Sequence, residues 1–467
     1  NSCGVTATAG SNPASSAMRY TQRIKGLLFA NPLRVLPVAF GSLIALGTAL
    51  LMLPLSSAEE QDISFVEALF TATSAVCVTG LTVVDTATAW TGFGKAVIMG
   101  LIQLGGLGIV TVVSVAILLV SDRIGMAHTR ALAAEVGTET YTRISGLVRG
   151  VVLTTLSFEL VFAILLSARF YFAYDYDVWL SISHGVFHSI SAWNNAGFAL
   201  YSDNLMQFVN DWFFSIAISL AVIMGGLGFP VLRAFSVHGA RWKSWSLHAK
   251  LTIATSGALV VFGFIAFAVL EWSNPDTLGA LSSTSRVHSA LFMSVQPRTA
   301  GFNSVDITAL NEESIFVSIG LMLIGGGSAS TAGGIKVTTF ALLAFVMWAE
   351  VRGDKDVHIF KRRIPEDIQR QALTVSLAGV GILAIATLAI MAAGDSSLGK
   401  SAFEAVSALS TVGLSVGIAG QNNALTDVIL TVLMFVGRLG PVTLAAAITL
   451  RSRPNLYRYP TDRPLIG

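Results

Sequence analysis

Eight apolar runs alternate with polar stretches along the chain, at about 33–55, 94–120, 145–168, 212–235, 249–271, 315–349, 371–393 and 426–450. Each is long enough to cross roughly 30 Å of hydrocarbon as a helix. Inside each successive pair lies a shorter helical stretch, at 65–76, 184–193, 287–295 and 401–410. These are too short to cross, so they predict re-entrant helices, and irregular backbone at membrane depth is tolerated beside a watery cavity. Each short helix leads into a Ser- or Thr-bearing loop that turns at a glycine: Gly80, Gly197, Gly301 and Gly413, spaced 117, 104 and 112 residues apart. A period near a hundred residues is too long for a solenoid. It fits a membrane helix–pore loop–membrane helix unit fused four times, and so predicts an all-α membrane protein with four repeats around a pseudo-fourfold pore. The repeats fall at 30–128, 129–243, 244–364 and 365–467, after a polar, small-residue tail at 1–29 read as disordered and cytoplasmic. Interfacial helices of an ordinary bundle are the plain alternative; four such loops in register weigh against it.

Composition agrees. Of 467 residues 53% are hydrophobic and only 12% charged, with mean hydropathy +0.70, against about a quarter charged in soluble domains. The net charge of +2 is too small to argue for nucleic acid. Lys and Arg gather before the first run, between the second and third, fourth and fifth, and sixth and seventh, and at the end of the chain. The positive-inside rule then places both termini in the cytoplasm and all four glycine loops outside. Asp85, Asp203 and other acids populate the outer side, where they would concentrate cations. Arg169, Arg286, Arg298 and Lys400 break the pattern. The two cysteines make no disulfide framework, and Cys77 reads as a packing residue.

The loops carry the candidate chemistry. An ion filter needs consecutive carbonyls turned inward to replace an ion's hydration shell, and glycine permits the backbone conformations this requires. The candidate filter is Val78, Thr79 and Gly80; Asn195, Ala196 and Gly197; Thr299, Ala300 and Gly301; and Thr411, Val412 and Gly413. The short helices aim the negative ends of their dipoles at the same place.

The second run of each repeat is also interrupted by glycine, in IQLGGLG, IMGGLGFP, IGGGSASTAGGIK and VGRLGP. Close helix packing accounts for Gly105, Gly106, Gly225 and Gly226. The third repeat differs: no helix holds well over Gly325, Gly326, Gly327, Ser328, Ala329, Ser330, Thr331, Ala332, Gly333 and Gly334. This predicts a flexible intramembrane loop beneath the filter, a candidate gate. Lys336 ends it and either snorkels to the cytoplasm or reaches loop carbonyls. Arg438 lies at the same depth in the eighth run. It either latches the loop or caps broken-helix carbonyls as a structural residue, and the sequence leaves the two open. Glu159 reads as satisfying a buried helix contact, and Asn194 and Asn195 as braces of the second filter loop. His184 and His188 share a helix face, without a third ligand that would suit a metal. No HExxH, Cys/His cluster or nucleophile motif points to an enzyme.

With ISAWNNAGF, SVQPRTAGFNS, GGGSASTAGGIKVTTF and GRLGP in hand, the chain resembles the Trk/Ktr/HKT superfamily of potassium transporters from about residue 30 to its end, and most of all the membrane subunits of bacterial Ktr systems. That resemblance implies potassium uptake across a bacterial cytoplasmic membrane, often stimulated by sodium, by a homodimer with one pore per protomer. It implies gating by a cytoplasmic KtrA-like ring of RCK domains, which binds ATP and ADP in place of this chain. The family's gate falls on Gly325–Gly334 and its motif arginine on Arg438. Relatives with Ser at the first filter glycine pass sodium more readily, so Gly80 favours potassium. The segments 129–146 and 354–363 are expected in the docking surface for the ring. A sodium-permeable HKT-like transporter and a proton-coupled TrkH-like transporter are the rival readings.

Overall fold

A computed structural model describes residues 35–58, 62–107, 144–421 and 423–440. The expected tail at 1–29, the docking segment 129–146 apart from its last three residues, and the ends of the second and eighth runs lie outside them.

Fourteen α-helices make up the described chain, with one two-stranded hairpin. The first repeat holds α1 (Val35–Leu51), α2 (Phe65–Cys77) and α3 (Gly92–Gly106). The second holds α4 (Ile144–Tyr174), α5 (Val178–Trp193), α6 (Trp212–Leu227) and α7 (Phe229–His238). The third holds α8 (Leu247–Leu270), α9 (Ser283–Val295), α10 (Glu312–Leu323) and α11 (Val337–Arg352). After the hairpin of β1 (His358–Ile359) and β2 (Arg362–Arg363), the fourth holds α12 (Glu366–Ala393), α13 (Leu398–Leu409) and α14 (Ala424–Leu439). The expected helix–pore loop–helix unit thus occurs four times.

The short helices α2, α5, α9 and α13 form the centre, and most of their last two turns is buried. Three of them start at a polar residue whose side chain caps the helix. Ser64 and Glu67 make a reciprocal capping box before α2, Asp177 accepts from Trp179 and Leu180 N–H before α5, and Ser282 accepts from Ser285 N–H before α9. The long helices α4, α8 and α12 lie around them. They are long and apolar enough to cross a membrane, and their exposed side chains include Leu160, Phe172, Val269, Leu377 and Ile385, as expected of a surface whose solvent is lipid.

Two expected spans are not single helices. The sixth run is broken as foreseen, with a non-helical segment between α10 and α11. The fourth, read as continuous over 212–235, bends by 96° between α6 and α7. The reason is Gly228, whose φ of 86° ends one helix and starts another. Asp177 also starts α5 six residues before the expected 184, giving that helix an additional polar-capped turn and a half.

Candidate ion pathway

The four glycine loops meet. A side chain added at Gly80 would strike the carbonyl oxygen of Ala196, one at Gly197 that of Ala300, one at Gly301 that of Val412, and one at Gly413 that of Thr79. The contacts run from repeat one to two, three, four and back to one, so the loops close into a ring. Glycine is required here twice over, by the close approach and by φ values of 71° to 100° at all four positions.

The backbone of the ring alternates in handedness. Val78, Asn195, Thr299 and Thr411 have φ between 50° and 71°, as do no residues at the middle position, and each glycine is left-handed again. Such alternation gathers successive N–H groups on one side of the chain. Those N–H groups turn back to the loop's own short helix. Val78 N–H donates to Ala75 O (3.1 Å) and Thr79 N–H to Ser74 O (2.8 Å); Gly80 N–H donates to Ser74 Oγ (3.1 Å). In the fourth repeat, Thr411, Val412 and Gly413 donate to Ala408 O, Ser407 O and Ser407 Oγ at 3.1, 2.8 and 3.1 Å. The second repeat repeats the first two bonds, while its serine, Ser191, donates to Phe198 O at 2.7 Å instead. The third has Val295 in place of serine, and Gln296 O accepts from both Ala300 and Gly301 N–H.

The carbonyls of the same residues are left without such partners. Among the described residues, no group donates a hydrogen bond to the carbonyl of Val78, Thr79, Gly80, Asn195, Ala196, Thr299, Ala300, Gly301, Thr411, Val412 or Gly413; Gly197 O has Asn204 Nδ2 at 3.5 Å. Buried carbonyls are almost always paired. A ring of unpaired ones lies here at the negative ends of four helix dipoles, where the local potential favours positive charge.

On one side the ring opens to a cavity of about 390 Å³ whose walls include Gly80, Gly197 and Gly413. Asp85, Asp203 and Asp306 line it, and no Lys or Arg does. Asp306 escaped the sequence reading, although it follows Gly301 at the same spacing as Asp85 follows Gly80; that spacing was the available signal.

On the other side runs the segment 324–336. Gly325 N–H donates to Ile335 O (2.8 Å), pinching the segment's two ends together. Gly327 N–H donates to Gly226 O (2.8 Å), and Phe229 N–H to Ala329 O (3.3 Å), so the loop is tied to the bend between α6 and α7. Thr331 Oγ1 lies 2.9 Å from the side-chain amide of Asn195, and a side chain at Gly333 would meet Thr411. The loop therefore passes under the first ring residues of repeats two and four. Lys336 Nζ donates to Ala332 O at 2.6 Å, which is the second of its two expected placements. Arg438 is buried; it donates through Nη1 to Thr331 O and through Nη2 to Gly105 O at 2.6 Å. It bonds a loop carbonyl and a helix-end carbonyl at once, so both expected contacts of the residue exist. In the other three repeats the equivalent position is glycine: Gly106, Gly226 and Gly326.

The remaining glycines make close helix contacts, as expected. Side chains at Gly105, Gly225 and Gly437 would strike the carbonyl oxygens of Val76, Trp193 and Leu409. The close contact is made with the ends of the short helices that hold the ring.

Buried polar groups brace the ring from behind. Glu159 accepts from Asn194 Nδ2 (2.9 Å) and Gln103 Nε2 (3.0 Å), joining repeats one and two. His188 gives Nδ1–H to His184 O (2.8 Å), leaving Nε2 to accept from Leu200 N–H (3.3 Å). His184 Nδ1 lies 2.8 Å from the Tyr201 hydroxyl, so both rings are occupied by bracing. Glu404, which sequence reasoning passed over, is fully buried. It accepts from the Ser415 hydroxyl (2.8 Å), Val416 N–H (3.2 Å) and Ala419 N–H (3.3 Å). His188 and Glu404 each stand nine residues before their ring glycine and hold the N–H three residues after it. Cys77 is buried and unbonded to another cysteine, as a packing residue should be. Of the pattern-breaking cations, Arg169 pairs with Asp211 (2.8 Å), Arg286 donates to three backbone carbonyls, and Arg298 donates to Ser256 O and Oγ.

Comparison with known proteins gives one answer. The family model for TrkH, described as a cation transport protein, matches residues 15–457. The chain is 39% identical to Ktr system potassium uptake protein B of Bacillus subtilis (strain 168) over 95% of this chain and 98% of that one. It is 38% identical to Ktr system potassium uptake protein B of Vibrio alginolyticus, covering 93% and 94% of the two chains. Identity is 33% to the potassium/sodium uptake protein NtpJ of Enterococcus hirae, over 94% and 97%. The crystal structure of the potassium transporter TrkH from Vibrio parahaemolyticus matches with a TM-score of 0.70 at 20% identity, over 89% of this chain and 84% of that one, a likeness of fold. The chain belongs to the TrkH family of cation transport proteins.

Proposed function

We propose that this protein takes up potassium through the ring formed by the four repeats 30–128, 129–243, 244–364 and 365–467. The observation that carries the reading is the set of unpaired ring carbonyls, which substitute for the water around a dehydrated cation. The acidic cavity gathers cations at the outer mouth, and the segment from Gly325 to Gly334 closes the inner side until it moves. Potassium as the cargo is supported by the names of the Ktr relatives and by glycine in all four ring positions. Sodium is a candidate activator, and the name of the Enterococcus relative, which joins potassium with sodium, supports testing sodium passage as well. The protein works as a homodimer in a bacterial cytoplasmic membrane, with both termini inside. A separate cytoplasmic RCK ring that binds ATP or ADP drives the gating segment.

The test is uptake in a strain stripped of its own potassium uptake systems, with and without a KtrA-like partner. Growth and uptake at low external potassium are expected, with stronger uptake when the partner is present. Uptake of sodium with potassium excluded would overturn the assignment of cargo.

Two further expectations belong to this reading. Replacing Asp85, Asp203 and Asp306 together by Asn should lower uptake at subsaturating potassium several-fold at low ionic strength. The loss should shrink near 1 M salt of an impermeant cation, where the Debye length is about 3 Å; a salt-independent loss would point to a structural defect. Glu404→Ala should leave Val416 and Ala419 N–H without their acceptor, at a cost of about 1–3 kcal/mol per group. Thermal unfolding at lower temperature together with weakened potassium affinity is expected, whereas Glu404→Gln, which keeps an acceptor oxygen, should fall between the two. Unchanged affinity in Glu404→Ala would remove the residue from the bracing of the ring.

A further inference from the structure

On the side of the molecule away from the acidic cavity, a second cavity of about 480 Å³ opens between α7, the start of α8 and the β1–β2 hairpin. Four cations, Arg233, Lys243, Lys250 and Arg362, line it together with His238 and His248, and no Asp or Glu does. Lys250 is held at the rim by donation from Nζ to Lys243 O (3.1 Å). The start of α8, capped by Ser246, adds the positive end of a helix dipole. The ligand chemistry is that of an anion with a phosphate-like group.

The rim says where that anion comes from. Trp242 packs between Trp245 and Phe360, at ring distances of 5.5 and 6.4 Å, and Phe235 lies 6.4 Å from Trp245. Phe235, Val237, Trp242 and Phe360 all remain exposed. Amphipathic rings beside a cluster of cations are the composition of a membrane–water interface. The hairpin turns through two left-handed residues, as two-residue hairpin loops do. Phe360 and Lys361, both with side chains, sit at φ 47° and 63°, while the buried Ile359 and the bond from Ile364 N–H to Val357 O anchor the strands behind them.

We propose that this cavity is a binding site for the phosphate headgroup of an anionic phospholipid, with the acyl chains leaving along Phe235 and Val237. The site rests on the membrane-spanning reading above, with this face at the cytoplasmic leaflet, and it assigns Phe360 and Arg362 to lipid in place of the ring-docking role expected of 354–363. It is also coupled to the ion pathway. Phe229 and Pro230 belong to its wall, and the same Phe229 donates its N–H to Ala329 O in the gating segment. A headgroup that fixes the first turn of α7 therefore fixes one anchor of that segment.

The experiment follows thermal unfolding of the purified full chain in detergent during titration with phosphatidylglycerol, phosphatidylcholine or inorganic phosphate. Phosphatidylglycerol should raise the unfolding temperature by several degrees more than phosphatidylcholine, and inorganic phosphate should leave it unchanged. Lys243→Ala, Lys250→Ala and Arg362→Ala combined should weaken the response to phosphatidylglycerol by about a hundredfold in apparent affinity, with unfolding in phosphatidylcholine unaltered. Arg362→Glu alone, on the exposed hairpin, is the second variant should the triple one not fold, and the same loss is expected on a smaller scale. Equal responses to the two lipids, or a variant that responds like the parent, would overturn the proposal. Inorganic phosphate alone producing the full shift would assign the cavity to a free anion and overturn the lipid. Because the readout is binding, failure here leaves potassium uptake unaffected, and failure of uptake leaves this result standing.

Discussion

Gly80→Ser is expected to lower potassium affinity by about ten- to a hundredfold and to admit sodium. The backbone at Gly80 has φ 90°, a conformation that costs a residue with a side chain roughly 1–3 kcal/mol. The added Cβ would also collide with the Ala196 carbonyl oxygen, so either the first loop or its neighbour has to move. A shift of this size, at about 1.4 kcal/mol per tenfold, falls on the carbonyls that replace the ion's water, and a widened ring discriminates less between the two cations. Competition between potassium and sodium in uptake, read as a selectivity ratio, is the measurement. Gly100→Ser is the control, because Gly100 lies in α3 with nothing within 4 Å of the position a Cβ would take, and it should behave as the parent. A selectivity ratio unchanged in Gly80→Ser would separate Gly80 from ion discrimination.

Arg438→Ala should raise flux, by about tenfold or more, with little dependence left on the regulatory partner. Its guanidinium ties Thr331 O of the segment 324–336, the proposed gate, to Gly105 O of α3. Hydrogen bonds from a charged donor are worth about 1.5–3 kcal/mol each, and loss of 1.4 kcal/mol already shifts a closed population tenfold. The segment keeps its other ties, from Gly327 to Gly226 and from Phe229 to Ala329, so it should swing from the side nearest α14 while remaining anchored at α6 and α7. Arg438→Lys should be intermediate, since an ammonium reaches the two carbonyls without the planar fork. Reduced flux at normal expression would make Arg438 a structural cap of α3 and nothing more.

The ring and its short helices were legible because their signals are local. A glycine that must be left-handed, a Ser- or Thr-bearing stretch before it, and a helix too short to cross a membrane all sit within one stretch of sequence. Repetition then made four weak signals into one strong one. What escaped depends on distance or on shape. Arg438 and Gly105 are 333 positions apart, and nothing in either stretch names the other. The bend at Gly228 falls in a glycine-bearing stretch that also suits close helix packing, and hydropathy does not register φ. Glu404 looks like an ordinary polar position on an amphipathic helix until the loop carrying Ser415 to Ala419 folds back over it. The left-handed turn at Phe360 and Lys361 carries no Asn-Gly signature, because the hairpin is held by Ile359 and by its neighbours on the cavity rim, outside the turn itself.

Anomalous diffraction from crystals grown with thallium or rubidium in place of potassium tests the central claim most directly. The account predicts a peak on the axis enclosed by Gly80, Gly197, Gly301 and Gly413, at coordination distance from the carbonyls of the ring. A peak confined to the acidic cavity, or none on the axis at saturating ion, would contradict it.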